Sequence, residues 1–207
     1  MRITKEAKEK NRKNILETAE RLFALKGYEQ TTTRDISEAC GMAKGTLFNY
    51  FSSKEALAMT LVAQAMESGR QTYLQRKSGD ESLVEELFLL VASELRALRP
   101  YRLYIGPVLE SGMSIFAKKS TCPAGDQARQ AHLKTVEAAL ASHGFAAILN
   151  SIAATLYWSL YLGILAHWSG DQSENQAETL ALADYSMQVF VNTISGNIEV
   201  HGVVCNE

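Results

Sequence analysis

Between residues 32 and 54 the chain concentrates side chains that bind anions and hydrogen-bonding edges. Lys44 and Lys54 carry ammonium groups, Arg34 a guanidinium, Thr32, Thr33, Thr46 and Tyr50 hydroxyls, and Asn49 an amide. Gly45 lies among them and permits close approach of the backbone. Such donors contact phosphate oxygens and base edges of nucleic acid. In this pattern Lys44 reaches base edges or phosphate, Thr46 touches a thymine methyl or a phosphate, and Tyr50 and Lys54 bind phosphates. Lys54 also falls in the first turn of a helix, whose unpaired N–H groups suit an anion. Catalysis is not expected: the chain has no G-x-S-x-G, P-loop, H-E-x-x-H or dinucleotide fingerprint. Glu110 and His132 could pair, but nothing local brings them together.

Three short elements must position these groups. Thr32 is a good N-cap with Asp35 three residues on, and Ile36, Ala39 and Cys40 recur on one face. Gly41 ends that helix. A second helix enters at Met42, with Ala43, Leu47 and Phe51 inward and Lys44, Gly45, Thr46 and Asn49 outward. Two short helices joined by a glycine turn, the second polar outside, are the parts of a helix-turn-helix. Ahead of them, Ile15, Leu16, Ala19, Leu22 and Phe23 predict a helix near 8–26 stopped by Gly27.

The run from Thr32 to Gly41 and the stretch KGTLFNYFSSKEAL from Lys44 to Leu57 resemble the DNA-binding module of the TetR (tetracycline-repressor-like) family of bacterial transcriptional regulators. With the first helix the resemblance covers roughly residues 8–60. It implies three helices for DNA and six for ligand binding and dimerisation, and a role for Arg34 at a guanine or the backbone. The family usually has tyrosine where this chain has Phe48, whose ring cannot make that hydroxyl's phosphate contact.

Charge agrees with a nucleic-acid end. The chain carries a net −2, yet residues 1–54 hold a net +4 and the remainder −6. A basic first quarter directs a molecule toward a polyanion by one end. Lys5, Lys8, Lys10, Arg12 and Lys13 form a candidate phosphate arm. Cys40, Cys122 and Cys205 are far apart and have no metal-ligand spacing, so neither a metal site nor a disulfide framework is expected, and a reducing cytoplasm is the natural location; no cofactor is expected either.

Beyond the head the chain reads as all-α, about nine helices in total, divided as a helix-turn-helix domain over 1–54 and an effector-binding and dimerisation domain over 55–207. A connector helix spans about 53–76, capped by Ser52 and Glu55, with Leu57, Leu61, Val62, Ala65, Met66 and Tyr73 buried. Further helices are predicted at 81–98, 101–118 with a kink at Gly106-Pro107, 126–142, 145–168 and 173–196, with a loop at 121–126 and a frayed tail. Pro100 should turn Arg99 away from helix. The stretch 145–168 contains no Asp, Glu, Lys or Arg. Its length would span a bilayer, but polar residues dilute it and no basic cluster flanks it, so burial in protein is the preferred reading. Ser159 and Gly163, four apart, would let two such helices approach closely.

The expected function is a DNA-binding transcriptional regulator, a ligand-responsive repressor on a palindromic operator. The alternatives are an activator of the same fold, or a membrane-tethered sensor using 145–168. One recognition helix reads few base pairs, so a homodimer is expected, paired through 145–168 and 173–196. Tyr73, Phe88, Tyr104, Phe116, Tyr157, Trp158 and Tyr161 suggest a small apolar or aromatic effector, with Arg102, Glu110 and His132 as polar anchors. Such a ligand would tilt the connector helix and change the spacing of the two recognition helices.

Overall fold

The computed structural model describes residues 4–113, 122–145 and 150–196. Among these residues the chain is all-α, with nine α-helices, two 3-10 helices and no strand. The α-helices are α1 Lys5–Lys26, α2 Thr33–Ala39, α3 Lys44–Phe48, α4 Lys54–Arg76, α5 Leu83–Leu98, α6 Ile105–Gly112, α7 Pro123–Ser142, α8 Ser151–Gly170 and α9 Ala177–Ile194. The 3-10 helices are Arg99–Tyr104 and Glu174–Gln176. Two compact units form: one from residues 1–71 and 94–132, the other from 72–93 and 133–207.

In the first unit, α1 buries Ile15, Leu16, Ala19, Leu22 and Phe23, the stripe that its spacing requires. It begins earlier than predicted because the Thr4 hydroxyl accepts the Ala7 N–H at 3.2 Å. Gly27 ends it at φ +83°, a conformation that a side chain would strain. Two of the predicted inward residues of the next helices differ. Ala39 is exposed, and Ser37 is buried in its place, its hydroxyl donating to the Arg34 carbonyl at 2.9 Å. Ala43 is exposed as the N-cap of α3, so that helix starts at Lys44 rather than Met42. α4 is capped by Ser53, whose Oγ accepts the Ala56 N–H at 3.0 Å, not by Ser52. Its expected stripe from Leu57 to Tyr73 is buried throughout.

Pro100 closes α5, but the chain tightens into the 3-10 helix Arg99–Tyr104 instead of extending. Pro107 falls in the first turn of α6, where its missing N–H costs nothing, so the break lies at Tyr104 and not at Gly106-Pro107. The 3-10 helix brings Tyr101 and Tyr104 onto the end of α1. Tyr28 and Tyr104 stack with centroids 4.9 Å apart and planes at 11°. Phe23 meets both edge-on at 5.1 and 5.4 Å. The Tyr101 hydroxyl donates to Glu20 at 2.5 Å. Deeper in the unit, the wholly buried Glu94 carboxylate accepts Arg70 at 2.9 Å and meets His132 Nδ1 at 2.9 Å. Residues 123–126, expected as loop, open α7, with Pro123 at its first position.

In the second unit, α8 begins at Ser151 because the Asn150 side chain accepts the N–H groups of Ile152 and Ala153, both at 3.0 Å. Phe145 instead joins the turn after α7, its N–H donating to the Leu140 carbonyl at 2.9 Å. No helix among the described residues is long and apolar enough to cross a membrane. α8 packs Tyr157, Trp158, Tyr161, Ile164, Leu165 and Trp168 inward, against α9. The buried face of α9 is Thr179, Ala183, Ser186, Met187 and Phe190. It is rotated from the predicted stripe, leaving Leu180, Ala181 and Asp184 exposed. The rotation follows from Asp171, which closes α8: its carboxylate accepts the Thr179 N–H at 3.0 Å and hydroxyl at 2.5 Å, drawing a polar residue inside. The predicted tail, after residue 196, lies outside the described residues.

Candidate nucleic-acid interface

The reading surface is built by α2, the turn at Gly41 and α3. Thr32 and Asp35 form a reciprocal capping box: the Thr32 Oγ accepts the Asp35 N–H at 3.1 Å, and Asp35 Oδ2 accepts the Thr32 N–H at 2.8 Å. The Thr32 hydroxyl also donates to Asp35 Oδ2 at 2.7 Å, and that bond, ahead of the Thr32 N–H, holds the Asp35 carboxyl below the usual carboxylate range. Thr32 is therefore occupied in starting α2. Gly41 turns at φ +66°, and the Met42 N–H returns to the Ser37 carbonyl at 3.0 Å. Leu47 and Phe51 are buried, so they fix which side of α3 faces out.

That outward side carries Lys44, Gly45, Phe48 and Asn49, all exposed, with Thr46 half-buried. Phe48 is 42% exposed and its ring lies 5.8 Å from the Lys44 ammonium, inside cation–π range. A β-carbon added to Gly45 would meet nothing within 4 Å. The protein interior therefore does not demand glycine there. Arg34 is exposed and its Nε is 2.7 Å from Glu38, an ion pair within α2. Thr33 is half-buried in the first turn of α2.

Flanking groups are more ordered than the sequence suggests. The Asn11 amide donates to the Tyr50 hydroxyl at 3.1 Å, which leaves that hydroxyl its own proton to donate. The Lys54 ammonium donates to the Tyr28 carbonyl at 2.9 Å and lies 4.1 Å from the centre of the Tyr28 ring. Arg12 packs over Phe51 at 4.5 Å, so this member of the basic arm is part of the head's packing. Asn11, missed by the sequence reading, is 39 positions from its partner and has no local signal.

The candidate effector residues have varied surroundings. In the first unit, Tyr104 stands in the aromatic cluster on α1. Arg102 is half-buried, Glu110 is exposed, and His132 is paired to Glu94 rather than to Glu110. In the second unit, Tyr73 donates to the buried Glu86 at 2.5 Å, and Phe88 is half-buried. Tyr157, Trp158 and Tyr161 are wholly buried, with Tyr157 edge-on to Phe190 and Trp158 tilted on Tyr161. Phe116 lies outside the described residues. His167, Asp171 and Glu178 have ligand-type atoms within 4.8 Å of one another. Both Asp171 oxygens already accept hydrogen bonds, from Ser173 and Thr179, so the trio reads as a helix-joining cap.

Residues 15–59 match the family model described as bacterial regulatory proteins, tetR family. Over 68 residues the chain is 37% identical to an uncharacterized HTH-type transcriptional regulator of Bacillus subtilis, YfiR, covering 33% of each protein. It is 34% identical over 87 residues to the HTH-type transcriptional regulator TtgR of Pseudomonas putida, covering 42% of this chain and 40% of TtgR. The aligned segments thus span well under half of these relatives. Among solved structures, Thermus thermophilus FadR, a tetR-family repressor in complex with lauroyl-CoA, superposes with a TM-score of 0.65 at 18% identity. The match covers 95% of this chain and 99% of FadR. A tetR-family regulator from Shewanella sp. PV-4 gives 0.59 at 22% identity, over 88% and 97%. These likenesses show that the fold extends over nearly the whole chain.

Proposed function

We propose, from the premise that its N-terminal domain belongs to the tetR family of bacterial regulatory proteins, that this chain is a homodimeric DNA-binding transcriptional regulator, a ligand-responsive repressor acting on a palindromic operator in the cytoplasm. The observation that carries this reading is the outward face of α3. Lys44, Gly45, Phe48 and Asn49 project from a helix whose other side is locked by Leu47 and Phe51. A rigid element presenting a few polar groups is what sequence readout in the major groove requires. Phe48, where the family usually has tyrosine, offers an apolar ring to a thymine methyl instead of a bond to phosphate. On this reading residues 1–54 are the DNA-binding domain and 55–207 the effector and dimerisation domain.

Pairing through α8 and α9 is supported by their exposed faces. Ile152, Thr155, Ser159 and Gly163 run along the outside of α8, and Leu180 and Tyr185 lie outside α9. Ile152 at 79% and Tyr185 at 66% are large side chains left in water by a single copy. Two copies would set their recognition helices about 34–36 Å apart, one turn of DNA. α4 continues unbroken from the head at Lys54 to Arg76, and can act as the lever by which an effector changes that spacing. FadR of T. thermophilus, which shares the fold, holds lauroyl-CoA.

The test is selection of bound duplexes from a random pool, followed by titration at several salt concentrations. A palindromic consensus bound by the wild type and weakened by Lys44→Ala, with the dimer intact, is expected. No enriched sequence, or equal affinity in the variant, would remove the reading. A reporter gene placed behind the selected sequence separates repression from activation.

A further inference from the structure

The aromatic cluster at the end of α1 borders an open cleft of about 340 Å³ within the first unit. Its walls include Phe23, Tyr28, Tyr101 and Tyr104, with Pro100 and Pro107 beside them. The volume lies at the lower end of the range that small-molecule sites occupy, about 300–1,000 Å³. Predominantly apolar walls with few polar groups also match such sites. Leu103, on the rim, is 98% exposed, an aliphatic side chain that nothing in the described chain covers.

The charges lining the cleft have one sign. Glu20 and Glu29 carry carboxylates, and among the described residues no lysine or arginine lines it, the nearest described cation to its aromatic wall being the Lys54 ammonium, 4.1 Å from the Tyr28 ring centre and bonded to the Tyr28 carbonyl. Burial raises the Tyr28, Tyr101 and Tyr104 phenols well above their ordinary range, so they stay neutral. Aromatic rings present electron-rich faces, which attract organic cations. The Tyr28 hydroxyl adds an independent sign. Tyr28 is only 5% exposed, and its hydroxyl has no hydrogen-bond partner among the described residues. A buried hydroxyl without a partner carries a desolvation penalty, which a ligand N–H donor at that position would remove.

We propose that this cleft binds a small planar aromatic cation bearing N–H donors, an amidinium or ammonium on a fused ring. The ring packs among Phe23, Tyr101 and Tyr104, and the charged group lies toward Glu20 and the Tyr28 hydroxyl. A neutral or anionic aromatic of the same shape has the apolar contacts alone. This inference rests on the regulator reading only in making the ligand an effector; binding itself stands apart from DNA.

The experiment is calorimetric titration of the full, DNA-free chain with naphthalene-2-carboxamidine and with its neutral isostere naphthalene-2-carboxamide. The amidine should bind at least tenfold tighter than the amide. Glu20→Gln keeps the acceptor for the Tyr101 hydroxyl and removes the charge; it should bring the two affinities together. Tyr28→Phe removes only the unpartnered hydroxyl, so it should fold at least as stably as wild type while weakening amidine binding several-fold. Equal binding of amidine and amide, or binding of neither, overturns the proposal. Amidine binding undiminished in both variants places the site elsewhere and overturns it too. The titration contains no DNA, so its failure is distinct from failure of the random-pool selection.

Discussion

The ammonium of Lys54 is bonded to the carbonyl of Tyr28, 26 positions earlier, and lies over the same residue's ring. The first residue of α4 is thereby tied to the chain that follows α1. An ammonium has three donors, so two remain for a phosphate. Holding the side chain in advance lowers the ordering cost of binding that phosphate. Lys54→Met should lower the thermal midpoint by a few degrees, because a charge-assisted hydrogen bond is worth about 1.5–3 kcal/mol. It should also flatten the dependence of log affinity on log salt by about 0.9 for each phosphate that is no longer neutralised. An unchanged salt slope would make Lys54 a strut alone.

Tyr50→Phe should weaken operator binding by roughly fivefold, the worth of about 1 kcal/mol for one hydrogen bond. Asn11→Ala, which frees the Tyr50 hydroxyl to rotate, should have a smaller effect. The double variant should bind no worse than Tyr50→Phe by itself, since both act through one hydroxyl. Additive effects in binding titrations would disconnect Asn11 from Tyr50.

Gly45→Ala separates fold from function. The new methyl group meets nothing in the chain, and alanine favours helix over glycine by about 0.8–1 kcal/mol. The thermal midpoint should hold or rise while operator affinity falls, because the methyl enters the space where backbone approaches the duplex. Affinity equal to wild type would mean that no such approach occurs at residue 45.

Gly163→Arg probes pairing. Gly163 is exposed and a β-carbon there meets nothing within 4 Å, so a single copy accommodates the arginine. Light scattering should show the monomer mass with an unchanged helical circular-dichroism spectrum. A dimer mass retained by this variant would move the interface away from this part of α8.

Acid stability should report on Asp171. The Ser173 and Thr179 hydroxyls, followed by their backbone N–H groups, hold its carboxyl far below the ordinary value of 3.8. A depressed folded value means stability that is fully present above the ordinary value and is lost as pH falls below it. Asp171→Asn should therefore lower the midpoint at pH 7 and reduce the further fall between about pH 5 and pH 2. An identical acid profile for variant and wild type would place the acid sensitivity elsewhere.

What the sequence shows depends on how local the cause is. The capping box at Thr32 and Asp35, the turn at Gly41 and the buried stripes of α1 and α4 follow from residues within one or two turns of each other. The errors there are single steps: Ser53 caps α4 in place of the expected Ser52, since neighbouring serines offer the same hydroxyl. Asn150 is legible as a cap, but the apolar run around it reads as one helix from 145. The inward turn of Thr179 is not legible, because it depends on Asp171 across a helix junction. The Tyr28–Tyr104 stack and the Glu94–His132 pair join residues whose closeness only the fold creates. The candidate DNA-contacting residues cluster in 23 positions, within reach of local patterning, whereas the candidate effector residues are scattered along the chain, so that only the tertiary fold decides which of them lie near one another.

The corner between α8 and α9 is made by two consecutive non-glycine residues with left-handed backbones, Asn175 at φ 53° and Gln176 at φ 60°. Such a conformation is rare for side chains of this kind and needs its surroundings to hold it. Here the Gln176 side chain accepts the Trp168 indole N–H at 3.0 Å, and Asp171 grips Thr179 on the far side of the bend. The joint is locked from both ends. Any molecule that docks across the outer faces of α8 and α9 meets a shape already cast before the encounter. Its association is then governed by diffusion and fit, with little slow moulding of the surface after contact.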